Sequence, residues 1–151
     1  KAQFAFALST DPKYLILDEP TANFDPEFKQ DFLNVIMQFM ESGKKSVIIA
    51  SHILDELDRI ADYLIYLDKG YLVYSGDIES FRDKYRIISG ESYKVKLLKQ
   101  EDIIHAEDRK YGTKALVVNH GYSKYDGALT VTVPTLEEFM YHYSKRGESV
   151  I

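Results

Sequence analysis

Two short apolar runs with an amphipathic helix between them place the strongest constraint on how this chain can fold. The runs, residues 14–17 and 46–50, have the length and composition of strands that are buried on both faces. Between them, Asp25 and Pro26 are typical of a helix N-cap and first helical position. The apolar residues that follow recur at helical spacing: Phe28, Phe32, Val35, Ile36, Phe39 and Met40. Strand, helix and strand in this order predict an α/β fold with a parallel sheet and crossover helices.

The remaining segments predict further elements on either side of this motif. Residues 1–9 read as a helix without a capping residue in front, so we expect the chain to start inside an element. A short helix is expected after His52, carrying Leu54, Leu57, Ile60 and Ala61 on one side. Residues 63–67 and 71–74 flank Asp68-Lys69-Gly70 and predict an antiparallel hairpin. A small helix is then expected from Asp77 to about Tyr85.

The pattern changes after Gly90. Alternation at Tyr93, Val95 and Leu97 predicts a half-exposed strand, and two more strands are expected at residues 115–118 and 129–133. Thr135 and Glu138 have the spacing of a capping box and predict a final helix. We therefore divide the chain into a first domain, residues 1–88, and a small α+β module, residues 89–151.

Composition narrows the possible functions. A net charge of -5 without a basic stripe argues against a nucleic-acid partner, because such binding requires clustered Lys and Arg. Cysteine is absent, which fits a reducing compartment. No apolar run approaches the ~20 residues that span a bilayer, so we expect that any membrane function depends on a partner or on a segment outside this sequence.

Two adjacent carboxylates, Asp18 and Glu19, end the first predicted strand. Ligands bind at the carboxyl ends of strands in open α/β sheets. Neighbouring carboxylates there need a cation, hydrogen-bond donors or water, all of which a magnesium–nucleotide site supplies. The alternative is that the pair merely ends a strand and caps a turn.

The residues around this pair carry a family resemblance. Asp18-Glu19-Pro20-Thr21-Ala22-Asn23-Phe24-Asp25-Pro26, followed a strand later by Ser51-His52, resembles the Walker B strand, D-loop and H-loop of ABC ATPases. The resemblance covers residues 1 to about 85, and residues 68–85 look like exporter-type bacterial members. The first helix resembles the one that follows the family's signature loop. We therefore expect a partial P-loop NTPase sheet from the C-terminal part of an ABC transporter ATP-binding protein, followed by the small α+β module.

The resemblance implies a role for each matching residue. Asp18 would hold Mg²⁺, Glu19 would orient or deprotonate the attacking water, and His52 would reach the γ-phosphate of ATP. Asp25 matches the aspartate that crosses the dimer interface in the family. Structural alternatives stay open, since Asp25 is also a good N-cap and Ser51 could cap the helix that follows.

The departures from the family matter too. The sequence contains no Gly-rich phosphate loop, glutamine loop or signature loop, so this piece alone is expected to bind ATP very weakly and to be inactive. Asn23-Phe24 stands where the family usually has smaller or aliphatic residues, which leaves the packing of the D-loop open.

The resemblance implies that the parent protein is the ATP-hydrolysing subunit of an ABC transporter. Its partners would be a second ATPase subunit and a transmembrane permease, at the cytoplasmic face of the membrane. The alternatives are a soluble ABC-type ATPase that acts on DNA or the ribosome, and a non-catalytic interaction fragment. A sheet stripped of its phosphate-loop strand would expose apolar surface, so we expect the fragment to self-associate.

Three histidines and the tyrosines fall outside this resemblance. His105, His120 and His142 lack the spacing of metal ligands and are expected at the surface. The twelve tyrosines are interpreted as packing residues of sheets and helices.

Overall fold

The computed structural model describes residues 2–54, 57–122 and 129–147. Its contacts divide the chain into two units, Lys1–Ile60 and Ala61–Ile151. The sequence placed a domain boundary at residues 88/89 instead; the contact grouping does not test that division, which stays a prediction. Parts of three predicted elements lie outside the described residues: residue 1 of the first helix, residues 55 and 56 of the short helix, and residues 148–151 of the α+β module.

The first unit contains the predicted strand–helix–strand motif. Helix α1 spans Ala2–Ser9, strand β1 Tyr14–Asp18, helix α2 Pro26–Met40 and strand β2 Ser46–Ala50. The two strands pair in parallel, from Tyr14 opposite Ser46 to Asp18 opposite Ala50. The predicted parallel pairing with a crossover helix is therefore confirmed. Of the short helix predicted after β2, the described residues show a 3₁₀ turn at Leu57–Arg59.

Among the described residues, helices cover one face of the β1–β2 pair. Leu15 packs in a core with Phe32, Leu33 and Ile36 of α2, and apolar residues of α1 lie against the same core. On the other face Tyr14 is 71%, Ile16 75% and Ile48 61% exposed. The prediction of strands buried on both faces is thus wrong for this chain, because helices cover the two-stranded sheet from one side only.

The second unit begins with the predicted hairpin. Strand β3 spans Tyr63–Asp68 and strand β4 spans Tyr71–Asp77, paired antiparallel. Lys69 and Gly70 both have positive φ, 49° and 82°, which is the backbone of the two-residue turn whose twist matches that of the strands. Helix α3, Ile78–Lys84, follows directly, and its N-cap Asp77 accepts a hydrogen bond from the Ser80 backbone N–H at 2.7 Å.

A four-stranded antiparallel sheet completes the second unit. Its strands are β5, Tyr85–Gly90; β6, Ile103–Arg109; β7, Gly112–Val118; and β8, Leu129–Thr132, in the spatial order β6-β7-β5-β8. Helix α5, Leu136–Ser144, has the predicted capping box between Thr135 and Glu138. The predicted α+β character is confirmed, although strands β5 and β6 were not predicted.

The strand predicted at residues 93–97 is wrong. The segment forms the short helix α4, Ser92–Val95, and a further turn. Val95 and Leu98 are buried in the core beneath the sheet, while Tyr93 and Leu97 are exposed. The buried residues Val95 and Leu98 are three positions apart, as expected on one face of a helix. The alternating apolar residues that predicted a strand therefore also fit a helix.

An aromatic core joins the hairpin, α3 and α5. The ring of Phe139 lies 5.5 Å from that of Tyr66, 4.9 Å from Phe81 and 4.7 Å from Tyr85, measured between centroids. Edge-on and tilted aromatic pairs at these distances stabilise a core beyond their buried area. The tyrosines at these positions do pack as predicted. This core explains why contacts group the hairpin with the C-terminal sheet.

Two of the three histidines are buried, contrary to the prediction. His105 on β6 and His142 on α5 are almost inaccessible to solvent, and their Nδ1 atoms lie 2.8 Å apart. One ring can donate to the other, so the pair satisfies polar atoms that burial would otherwise leave unpaired. His120 is exposed as predicted, and its Nδ1 lies 2.8 Å from Oδ1 of the buried Asp102.

Among the described residues, no helix combines the length and the hydropathy that crossing a bilayer requires.

Burial of His142 predicts a loss of stability in acid. Desolvation, together with the nearby His105 and Lys114, lowers the pKa of His142 from 6.5 to about 4. The unfolded chain therefore takes up this proton first, and the free energy of unfolding should fall as the pH drops from about 6.5 to about 4, by on the order of 3 kcal/mol. Urea unfolding at several pH values measures the slope.

The variant His142→Gln provides the comparison, because an amide can still hydrogen-bond His105 but does not titrate. Its unfolding free energy should depend less on pH in this window than that of the wild type. Equal slopes in the two proteins would contradict the assignment of this proton to His142.

Candidate functional site

The parallel register of β1 and β2 brings their carboxyl ends to one edge. Asp18 and Ala50 form the last pair, so Glu19 and Ser51 leave the sheet side by side. The Glu19 backbone N–H donates to the Ala50 carbonyl at 2.8 Å and extends the ladder by one bond. Glu19 then adopts a left-handed backbone with φ 44°. This conformation is uncommon for a residue other than glycine and turns the chain sharply after the strand.

The Glu19 carboxylate is held by both residues that follow β2. Its Oε1 lies 2.8 Å from Nδ1 of His52 and accepts the His52 backbone N–H at 3.2 Å. Its Oε2 lies 3.2 Å from the Ser51 hydroxyl. Glu19 and His52 are 40% and 71% exposed at their side chains, so the pair is open to solvent on one side. The structure thus brings the predicted base, Glu19, into direct contact with His52, the residue predicted to reach the γ-phosphate.

These contacts favour the ionised carboxylate. The hydrogen bond from the His52 ring, supported by its charge and by the Ser51 hydroxyl, lowers the pKa of Glu19 against the opposing effect of desolvation. An ionised carboxylate only accepts hydrogen bonds, so Nδ1 of His52 carries the hydrogen and Nε2 is directed away from Glu19.

Asp18 differs from its neighbour. Its side chain is exposed and makes no hydrogen bond or ion pair with any described residue. A free carboxylate oxygen at the end of a parallel strand is a suitable donor for Mg²⁺, which is commonly held by one or two carboxylates, water and substrate phosphates. Within the described ranges, no three His, Cys, Asp or Glu side chains form a metal-holding group.

Asp25 lies at the far end of the loop that begins with Glu19. It is the N-cap of α2, and its Oδ1 accepts the Phe28 backbone N–H at 2.8 Å, with Pro26 at the start of the helix. The cap predicted from the sequence is therefore confirmed. Phe24, which departs from the family pattern, packs its ring 4.5 Å from that of Phe28 and 5.7 Å from that of Phe32. Phe24 therefore packs in the aromatic core of the first unit.

Two features of the site were not predicted. The contact between Ser51 and Glu19 follows from the parallel register, since Asp18 and Ala50 are paired and the next residues lie at the same edge. That signal was present once two parallel strands were inferred. The left-handed backbone of Glu19 has no signal in the sequence, because the residue types that favour this region are glycine, asparagine and aspartate.

Comparison with known proteins finds several that are similar to this chain in sequence. No protein-family model matches the chain. A putative ABC transporter ATP-binding protein from Mycoplasma pneumoniae is 41% identical over 70 residues, which is 46% of this chain and 22% of that protein. An energy-coupling factor transporter ATP-binding protein from Caldanaerobacter subterraneus is 39% identical over 88 residues, 58% of this chain and 31% of the relative. A protein of the same name from Streptococcus pyogenes is 33% identical over 76 residues, 50% and 27% of the two chains.

The chain is similar in sequence to ABC transporter ATP-binding proteins over about half of its length. The resemblance stated from the motifs is confirmed at this level, and the parallel β1–β2 pair is consistent with a partial ABC ATPase fold. The chain spans only about a quarter of the length of these relatives, 22% to 31%. The names do not bear on the direction of transport, so the exporter-like subgroup stays a prediction.

One solved structure is also similar, UvrA2 from Deinococcus radiodurans. It matches 58% of this chain and 14% of its own, with a TM-score of 0.41 and 20% sequence identity. A likeness of this size has no bearing on function.

The two interpretations of Asp25 can be separated by substitution. Asp25→Ala removes the acceptor for the Phe28 N–H and should lower the free energy of unfolding by about 1 kcal/mol, whereas Asp25→Asn should have little effect, because asparagine caps helices as well as aspartate does. Urea unfolding of this chain measures both. Equal losses in the two variants would mean that the charge of Asp25 stabilises the chain, and not its capping geometry.

Proposed function

We propose that this chain is the C-terminal part of the ATP-hydrolysing subunit of an ABC transporter. The observation that carries the proposal is the contact of Glu19 with His52 at the carboxyl ends of two parallel strands, next to the free carboxylate of Asp18. Sequence similarity to ABC transporter ATP-binding proteins also supports the proposal. The motif order in the sequence and the contact between Glu19 and His52 both fit such a protein.

Within this proposal the two carboxylates have separate roles. Asp18 would hold Mg²⁺, directly or through water, and the ion would neutralise charge on the phosphates of ATP. Glu19, ionised and held at both oxygens, would orient the attacking water and accept its proton. His52 donates through Nδ1 to Glu19, so its outward Nε2 is the atom available to a γ-phosphate.

The partners follow from the same proposal. A second ATPase subunit would complete the site, with Asp25 at the interface, and a transmembrane permease would hold the subunit at the cytoplasmic face of the membrane. The net charge of -5 supports a protein partner over nucleic acid. A DNA-directed or ribosome-directed ATPase is the competing outcome, and co-purification with nucleic acid or ribosomes in place of a membrane protein would favour it.

The proposal includes the absence of activity in this chain by itself. The sequence holds no Gly-rich loop whose backbone N–H groups could cradle phosphates, and these groups supply much of the binding in P-loop proteins. Catalysis would require a longer protein that carries such a loop together with residues 1–151.

Substitution of the proposed base tests the function. In the longer protein, Glu19→Gln should lower ATP turnover by at least about 100-fold while magnesium–ATP binding stays within about 3-fold of the wild type, because the amide keeps the shape but cannot accept the proton. Phosphate release measures turnover and calorimetry measures binding. Glu27→Gln, at an exposed position in the first turn of α2, is a matched control that should leave both unchanged. Retained turnover in Glu19→Gln would contradict the role of Glu19 as the base.

The open face of the β1–β2 pair supports self-association of the isolated chain. Parallel sheets are almost always covered on both faces, and here Tyr14, Ile16 and Ile48 form an exposed apolar surface. In the part of the chain that the structure describes, β1 and β2 pair only with each other, so their outer edges lack a neighbouring strand. Sedimentation velocity should show dimers or larger species whose fraction rises with concentration. Ile16→Lys should shift the distribution towards monomer, whereas Tyr111→Lys, at another exposed position, should not. A wild-type monomer at millimolar concentration would rule the association out.

A further inference from the structure

Ser51 lies between the proposed catalytic base and the turn that follows β2. Its Oγ accepts the Ile53 backbone N–H at 3.0 Å. The same oxygen lies 3.2 Å from Oε2 of Glu19 and 3.5 Å from the Ile53 carbonyl. The residue is partly buried, so these contacts replace water at the hydroxyl.

The arrangement determines where the single hydroxyl hydrogen points. The Ile53 N–H occupies one lone pair of Oγ, which leaves the hydrogen free to donate elsewhere. The Glu19 carboxylate is both the nearer acceptor and the charged one, and hydrogen bonds to ionised acceptors are the stronger kind. Ser51 therefore donates to Glu19 in this structure.

His52 alone cannot fix the plane of the carboxylate. Both of its donors, Nδ1 and the backbone N–H, reach the same oxygen, Oε1. The last torsion of a glutamate side chain is broad and nearly two-fold, so a carboxylate held at one oxygen can rotate about that anchor. A donor to Oε2 removes this freedom, and Ser51 provides it.

We propose that Ser51 is a positioning residue for Glu19: the Ile53 N–H orients its hydroxyl, and the hydroxyl holds Oε2 so that the carboxylate keeps one orientation towards the attacking water. The role rests on the proposed function of Glu19 as the base. The contact itself can be tested on this chain without any turnover.

The first test uses this chain and the side-chain carboxyl ¹³C signal of Glu19. Ser51→Ala should move this signal and increase the rotamer averaging of the Glu19 side chain, and Ser51→Thr should restore the wild-type values because threonine keeps the hydroxyl. Ser42→Ala is the matched control, because Ser42 is an exposed serine whose hydroxyl accepts the Lys44 N–H at 3.4 Å and does not contact Glu19. Unchanged backbone amide signals of β1 and β2 in each variant establish that the fold is retained. An unchanged chemical shift and unchanged rotamer averaging of Glu19 in Ser51→Ala would overturn the proposal.

The second test measures turnover in the longer protein. Ser51→Ala should lower kcat by about 10-fold with KM for magnesium–ATP within about 2-fold, and Ser51→Thr should recover most of the rate, because a misoriented catalytic group slows the chemical step and not binding. A general loss of structure would not be rescued by threonine and would change KM as well.

The outcomes separate the proposal from the function on which it rests. Wild-type protein without ATP turnover, or full turnover in Glu19→Gln, would overturn the proposed function and the positioning role with it. Turnover that requires Glu19 but is unchanged in Ser51→Ala would overturn the positioning role alone.

Discussion

The parallel register of β1 and β2 determines where the charged groups of the first unit lie. Because Asp18 pairs with Ala50, the two residues that follow β2 reach the carboxylate that follows β1. A shift of one residue would send Ser51 and His52 to other positions and reverse the faces of the strand. Leu15 stabilises this register, because its side chain packs in the core against Phe32 and Ile36 of α2. Burial of apolar side chains on one face thus sets the geometry of polar groups at the edge.

The same packing leaves the opposite face uncovered. Tyr14, Ile16 and Ile48 are mostly exposed and alternate with residues of their strands that are buried or partly buried. Full burial of such a side chain stabilises a protein by about 1.5 to 3 kcal/mol, so a second layer over this face would contribute substantially to the stability of the unit. The second unit has no parallel strand among its described residues; its hairpin and its antiparallel sheet pack through the rings around Phe139. Antiparallel sheets can expose one face to water without this cost.

The features that could be predicted from the sequence are those with local causes. The Asp25 cap, the capping box at Thr135 and the turn at Lys69-Gly70 each depend on residues within four positions, and each is found. The strand predicted at residues 93–97 failed because three apolar residues at alternate positions fit both a strand and a short helix, and only tertiary packing of Val95 and Leu98 decides between them.

Apart from the parallel pairing of β1 and β2, the contacts between distant residues were not predicted from the sequence. His142 is buried against His105, which lies 37 residues away in the chain, so local sequence does not show that the two meet. The contact of Ser51 with Glu19 spans 32 residues and becomes visible only when the register is known. The residues of the candidate site could be predicted because they belong to a recurring sequence motif. The hydrogen bonds that hold Glu19 could not, because they depend on how the two strands pair.

The environments of the two adjacent carboxylates explain why they can have different roles. Asp18 has no protein partner among the described residues, whereas Glu19 accepts hydrogen bonds from His52 and Ser51 at both oxygens. The donors that hold Glu19 also lower its pKa, which makes it a weaker base. A site that relied on proton affinity would be arranged in the opposite way, with the carboxyl group desolvated and without donors. Phosphoryl transfer depends mainly on positioning and charge neutralisation, so a carboxylate that is fixed in place and ionised suits it better than a strongly basic one that can rotate.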